Sequence, residues 1–126
     1  MSAGLIEKGV VAIAEAVAKG EVTSEAVTRD VLSRLASRGK KFNGLVLLEE
    51  DRALDMARKA DQARAKGAAL GPLHGVPMAH KDLFYRKGRT AACGTKIRRG
   101  FVADVTSAAL SKVDAAGAVD CGTLHM

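Results

Sequence analysis

Apolar residues recur at helical spacing in three stretches of the first half of the chain. The first stretch predicts an amphipathic helix that ends at Gly20, with apolar positions at Leu5 or Ile6, Val10, Ile13 and Val17. The second predicts a helix capped by Thr23 or Ser24 and ended by Gly39, with a buried stripe of Val27, Val31 and Leu35. The third, about residues 50–66, is rich in alanine, which indicates close packing on a neighbour.

Short apolar runs between the helical stretches predict strands. The run 44–48 suits a short buried strand, and the run 118–121 suits another. Residues 76–81 also predict a strand, which lies at an edge or starts at Pro77 because proline has no N–H to donate. A last helix is expected near 105–116, packing through Val105, Ala109, Leu110 and Val113. Helices that alternate with apolar strands indicate an α/β fold.

The long connection at residues 84–104 contains no strong helix or strand signal, and such loops are often functional. With 126 residues the chain can form one domain with a modest core. We divide it into a helical part, 1–66, a strand and loop, 67–104, and a helix and strand, 105–126. Because 48% of the residues are apolar, a disordered tail is excluded.

Targeting signals and metal-site patterns are not found in the sequence. Charged residues interrupt the N-terminal apolar stretch, and no run approaches the roughly 18 apolar residues of a membrane span, so we expect a cytoplasmic protein. Cys93 and Cys121 are expected to stay thiols, and they form no short-spaced pair with histidine that would indicate zinc.

The formal net charge of +6 comes from one basic cluster. Seven basic residues oppose one acid, Asp82, in residues 81–99: Lys81, Arg86, Lys87, Arg89, Lys96, Arg98 and Arg99. We expect a solvated loop, since most such clusters are solvated. Nucleic-acid binding is not expected, because Phe84 and Tyr85 are too few aromatic residues for a base-stacking platform.

Residues 71–95, GPLHGVPMAHKDLFYRKGRTAACGT, contain the most informative motif. The stretch GPLHGVP is followed by the pair Lys81-Asp82 and by a turn that ends in Gly94-Thr95. This block closely resembles the N-terminal block of the amidase signature family, with Thr95 where the family usually has serine. Three further blocks in the same order extend the resemblance over nearly the whole chain: Thr23-Ser24, residues 42–44 and residues 116–126.

The resemblance implies acyl transfer by a Ser–cis-Ser–Lys triad in which Lys81 is the lysine. A lysine acts as a base only when its amine is neutral, a state that burial among apolar groups favours. The apolar residues that precede Lys81 predict such surroundings, and strand alternation places Asp82 on the opposite face. Lys81 would then accept a proton, through a bridging serine, from the serine that attacks the amide.

The other polar residues near the motif are expected to be structural. His74 belongs to the family's connector, and His80 is expected to face away from Lys81. Cys93 is expected to be an inert thiol, because no histidine or helix N-terminus is placed beside it. No serine of the chain sits in a Gly-Gly-Ser-Ser-Gly setting; Ser107 and Ser111 fall in the last predicted helix.

We therefore expect residues 1–126 to be the N-terminal fragment of a single amidase domain, truncated before its nucleophile. Its helices would flank a mixed β-sheet that is incomplete in this chain and could mediate self-association. The whole enzyme would hydrolyse a small-molecule carboxamide without metal or organic cofactor, whereas this chain alone would be inactive. Two alternatives remain: the glutaminase subunit of a tRNA-dependent amidotransferase, and a non-catalytic basic binding module.

Overall fold

A computed structural model describes residues 3–126, which form five helices and a three-stranded sheet. The α/β fold predicted from the sequence is confirmed. The elements in chain order are α1 (Ala3–Ile6), α2 (Val10–Lys19), α3 (Ser24–Arg34), β1 (Leu45–Leu48), α4 (Glu50–Ala65), β2 (Pro77–Lys81), α5 (Ala108–Ala115) and β3 (Val119–Leu124).

The first predicted helix is divided into α1 and α2, so the prediction of one continuous helix was wrong. The break occurs at Gly9, whose φ of 90° is incompatible with a right-handed helix. Both parts still contribute to one core cluster of Ile13, Val17, Val27 and Val76, against which Leu5 and Ile6 pack. The apolar spacing therefore predicted the buried face correctly, whereas the backbone break depended on a single glycine.

Helix α3 starts where the sequence predicts, but with two caps. The Thr23 side chain accepts a hydrogen bond from the Ala26 N–H at 3.1 Å, as expected of a helix cap. The Asp61 carboxylate, from α4, also accepts bonds from the N–H groups of Ser24 and Glu25, at 2.7 and 3.0 Å. At its other end α3 continues into one π-helical turn, Leu35–Gly39. The second cap ties α3 to α4.

Helix α4 confirms the expected close packing of small residues. Ala53, Leu54 and Ala57 are buried against Leu32 of α3 and against Val119 and Cys121 of β3. Alanine side chains allow the helix backbone to approach the sheet closely. The packing of this face therefore depends on close contact between the two elements and not on large side chains.

Strand β3 is the centre of the sheet, whose order is β1-β3-β2. It pairs with β1 in antiparallel and with β2 in parallel orientation. Strand β2 starts at Pro77 and lies at an edge, as predicted. The prediction that 44–48 is buried was wrong, because β1 forms the other edge and leaves Val46 44% and Leu47 41% exposed.

The last helix is shorter than predicted and packs through fewer residues. It begins after Ser107, whose hydroxyl caps it by accepting the Leu110 N–H. Of the residues expected to pack, Leu110 is buried and Val113 half-buried, but Val105 and Ala109 are exposed. Residues 84–104 form the predicted long loop, with one isolated bridge between Thr90 and Val102.

We predict that the 126-residue chain self-associates, because both sheet edges and several apolar side chains are open to solvent. Exposed residues include Phe42, Ile97, Val102 and Val105. Unpaired strand edges join other strands readily. Sedimentation velocity is expected to show oligomers that increase with concentration, and fewer of them for Val46→Lys, which places a charge on the exposed edge strand β1.

Ala115→Lys, on the exposed side of α5, is the control and should leave the oligomers unchanged. A monomer with a sharp two-state thermal transition would contradict this prediction, since it would show that the described fold is self-sufficient.

Candidate active site

Lys81 is the last residue of β2, at the carboxyl end of an edge strand. Its side chain is exposed, so this chain does not supply the burial that the sequence predicted. Beside it lies a groove of about 260 Å³ between β2 and α5, which we call the β2–α5 groove. Its apolar lining consists of Met78, Ala79, Phe84, Ala109, Leu110 and Val113.

The two neighbours of Lys81 differ from it in exposure, which agrees with the alternation of side chains along a strand. His80 and Asp82 are both buried. The Asp82 N–H donates to the Leu124 carbonyl at 2.9 Å, which extends the parallel pairing one residue beyond Lys81. The Asp82 carboxylate accepts the Gly94 N–H at 3.4 Å and therefore holds the following loop instead of the Lys81 amine.

A buried cluster of charges lies behind Lys81, and we call it the Asp120 ion cluster. Asp120, on the central strand, is only 1% exposed. Arg89 donates to its Oδ2 at 2.8 Å, and the Arg86 Nε lies 2.6 Å from the same oxygen. Arg86 also binds the Asp114 carboxylate through two hydrogen bonds, and Arg89 donates to Glu49.

The cluster overturns the expectation that the basic residues of 81–99 form a solvated loop. Arg86 and Arg89 are buried, because Asp120, Asp114 and Glu49 compensate their charges. A third arginine, Arg98, lies over the rings of Phe101 and Tyr85, with 4.2 and 5.3 Å from its guanidinium carbon to the ring centres. Three of the loop's basic side chains therefore contact carboxylates or aromatic rings of the same chain.

The electrostatics of β3 follow from this burial. Burial alone would raise the pKa of Asp120, but the His80 side chain and the positive charges of Arg89 and Arg86 outweigh it and hold that pKa below its ordinary value. Burial, together with the neighbouring Asp120 charge, raises the pKa of the Cys121 thiol to about 12. Cys121 is thus a structural thiol that remains protonated at neutral pH.

Three further polar residues of the motif, His74, Thr95 and Cys93, contact backbone carbonyl groups. His74 Nε2 lies 2.8 Å from the Ala60 carbonyl oxygen and so joins the connector to α4. The Thr95 hydroxyl donates to the Ala92 carbonyl at 3.0 Å, within its own turn. Cys93 is half-buried, and its Sγ lies 3.9 Å from the Ala91 carbonyl oxygen. None of these groups lines the β2–α5 groove.

The Asp120 ion cluster was not predicted from the sequence, although one signal for it was present. Asp120 stands inside the apolar run 118–121, and a buried carboxylate needs a cation. The sequence does not show which of the seven basic residues reach it. Within residues 3–126, no group of three or more His, Cys, Asp and Glu side chains could hold a metal ion, and no described helix is long and apolar enough to cross a membrane.

Comparison with known proteins decides the family. The profile of the family described as Amidase matches residues 26–126, which is most of the chain. The chain belongs to the amidase family. The resemblance found in the motif 71–95 is therefore confirmed.

Curated relatives of this chain include the A subunits of glutamyl-tRNA(Gln) amidotransferases from several bacteria. The chain is 40% identical over 114 residues to the A subunit of the glutamyl-tRNA(Gln) amidotransferase of Pseudomonas fluorescens, and the alignment covers 90% of this chain and 23% of that relative. The corresponding protein of Acidothermus cellulolyticus is 37% identical over 122 residues, which are 97% of this chain and 24% of that relative. The chain thus spans about a quarter of the length of these relatives.

Solved amidase structures share the fold. The structure of an inhibitor-bound protein complex, described as bearing on the origins of an s-triazine catabolic enzyme, is 32% identical, with a TM-score of 0.87 over 93% of this chain and 26% of that chain. The peptide amidase of Stenotrophomonas maltophilia is 28% identical, with a TM-score of 0.83 over 94% of this chain and 24% of that chain.

Proposed function

We propose that this chain is the N-terminal segment of an amidase and that it contributes the catalytic lysine, Lys81. The observation that carries the proposal is the position of Lys81 in the family's Lys-Asp pair, at the carboxyl end of a parallel strand beside an apolar groove. The carboxyl ends of parallel strands are where α/β proteins commonly bind ligands. The exposed side chain leaves the amine accessible to groups from outside this segment.

The proposed reaction converts a small-molecule carboxamide into an acid and an amine or ammonia. Neutral Lys81 accepts a proton from a bridging serine, which in turn takes the proton of the attacking serine. That serine forms an acyl-enzyme and the amine leaves with a proton; water then releases the acid. The rest of the enzyme would provide both serines and the oxyanion donors, and would cover Lys81 to keep its amine neutral.

The second candidate is the glutaminase subunit of a tRNA-dependent amidotransferase. The curated relatives at 37–40% identity, each named as the A subunit of such an enzyme, favour it. The two candidates differ in their need for partners. A free amidase would hydrolyse simple amides by itself, whereas a subunit would release ammonia from glutamine efficiently only with its partner subunits. Assays of a protein that carries this segment, with and without candidate partners, distinguish them.

The non-catalytic binding module receives less support. It depended on free basic residues in 81–99, but Arg86 and Arg89 are buried in ion pairs and Arg98 stacks on aromatic rings. Only the remaining lysines and Arg99 extend outward from this loop.

We predict that the purified 126-residue chain turns over no amide or ester, since it has a base without its nucleophile. The check is hydrolysis of simple anilides and esters by the chain and by its Lys81→Ala variant. Equal background rates are expected for both proteins. Turnover that disappears in the variant would contradict the prediction, and would show that a nucleophile exists within these residues.

A further inference from the structure

The central strand contains an irregularity directly before the residues that pair with His80 and Lys81. Met78 pairs with Asp120 and His80 with Thr123, so two steps along β2 correspond to three along β3. Strand β3 therefore has one extra residue, a β-bulge at Cys121-Gly122. Bulges re-aim the residues that follow them and are common beside active sites. Here the residues that follow are Thr123 and Leu124, the partners of His80 and Lys81.

The bulge needs glycine and is held by Asp120. Gly122 has a φ of 147°, a conformation that side chains rarely adopt, and a Cβ there would overlap the Leu47 carbonyl group. The Gly122 N–H donates to Asp120 Oδ1 at 3.1 Å. The carboxylate thus fixes the backbone of its own strand with one oxygen, while its other oxygen binds Arg86 and Arg89.

The two arginines fix the chain on the other side of Lys81. Both belong to the loop that leaves β2, five and eight residues after Lys81. Their ion pairs with Asp120 tie the start of this loop to the centre of the sheet, and Asp114 and Glu49 extend the ties to α5 and to the start of α4. The strand that leads to Lys81 is therefore fixed by its pairing with β3, and the loop that follows Lys81 is fixed by the two arginines. Both of these restraints depend on Asp120.

We propose that Asp120, with Arg86 and Arg89, is a positioning residue for Lys81. It maintains the bulge that sets the β2–β3 register and anchors the loop after the lysine. Without it the pairing after the bulge loosens, and Lys81 no longer has a fixed place at the strand end. A positioning role in catalysis rests on the proposed function, but the structural role does not.

Amide hydrogen exchange in the 126-residue chain tests the structural role. The reporter is the Asp82 N–H, which bonds Leu124 after the bulge, and the reference is the Val119 N–H, which bonds Val76 before it. In Asp120→Ala the ratio of the two exchange rates is expected to rise about tenfold or more. An equal rise at both amides would overturn the proposal, because it would show an effect on overall stability only.

Two further variants keep the test decisive if Asp120→Ala fails to fold. Arg89→Lys retains the charge but cannot bind Asp120 and Glu49 at once through a planar fork, so its ratio is expected to rise as well. Asp114→Asn is the control, because it removes a partly exposed partner of Arg86 without touching the bulge, and its ratio should stay unchanged. An unchanged ratio in Arg89→Lys would overturn the anchoring role.

The catalytic consequence is measured in an enzyme that carries this segment. Arg89→Lys is expected to lower kcat about tenfold with little change in KM, because a displaced base affects the chemical step more than ground-state binding. A changed exchange ratio with unchanged kcat would overturn the positioning role in catalysis. Failure of the proposed function itself would appear differently, as full activity in the absence of the Lys81 amine.

Discussion

Amide hydrolysis is expected to fall by about 10²–10⁴-fold when Lys81 is replaced by alanine in an enzyme that carries this segment. The reason is that the attacking serine loses the base that takes its proton. The fold should be intact, because the Lys81 side chain is exposed and removing it opens no cavity. The measurements are steady-state kinetics on a simple amide and circular dichroism of both proteins.

Two variants separate loss of the base from loss of a lysine side chain as such. Lys87→Ala removes another exposed lysine six residues away, and its kinetics should match those of the unchanged enzyme. Lys81→Arg keeps a long basic side chain, but its guanidinium stays protonated at neutral pH and cannot act as a base, so it should be as inactive as Lys81→Ala. Near-normal activity of Lys81→Ala, with an unchanged spectrum, would remove Lys81 from the mechanism.

The largest expected loss of stability in this chain comes from Asp120→Ala. It leaves two buried guanidinium groups without their shared carboxylate, which costs about 3–5 kcal/mol of the free energy of unfolding. Domains of this size have about 5–15 kcal/mol in total. Urea unfolding followed by circular dichroism measures the difference, and the expected result is a midpoint far below that of the unchanged chain, or no folded baseline.

The same substitution at Asp55 is the matched control. Asp55 also forms an ion pair, with Lys59 at 2.7 Å, but both side chains are more than half exposed. Its removal should cost at most about 1 kcal/mol, since solvent already screens the pair. If the two variants lost equal stability, the buried cluster would contribute no more than a surface pair.

The pH dependence of stability provides a second check on Asp120. Because its pKa is lower in the folded chain than in the unfolded one, its contribution is complete above the ordinary aspartate pKa of about 4. The contribution is lost as the pH falls through the lower, folded value. Asp120→Asn should therefore lose less stability in acid than the unchanged chain. Parallel stability curves for the two proteins would contradict the depressed pKa.

Local rules were sufficient to predict most of the helices and the sheet strands. Gly20 and Thr23 end and begin helices through their own backbone and side-chain chemistry, so their neighbours in sequence decide the outcome. The predicted helix boundaries were wrong where a single residue could either continue a helix or interrupt it. Gly9 broke a helix that the apolar spacing favoured, and Ser107 capped the last helix later than its apolar residues indicated.

In the candidate site too, features set by neighbouring residues were predicted, whereas a feature set by distant packing was not. The motif around Lys81 predicted the strand that ends there, and strand alternation, which is a local property, agrees with buried His80 and Asp82 beside an exposed Lys81. The catalytic role of Lys81 stays a prediction. The burial of Lys81 was predicted from the apolar residues before it and was not found. Burial depends on what packs over a residue, and within this chain the end of the edge strand is open.

The sequence by itself determined the amidase family, the α/β class and the place of Lys81 in the motif, since each follows from residues close together in the chain. Only the tertiary structure decided that β3 is the central strand, that β1 is an exposed edge and that Arg86 and Arg89 meet Asp120 across about 30 positions of sequence. Seven basic residues were available to one buried carboxylate, and the fold alone determines which of them can reach it. The physical reason is that the charges pair through space, at distances that sequence separation does not encode.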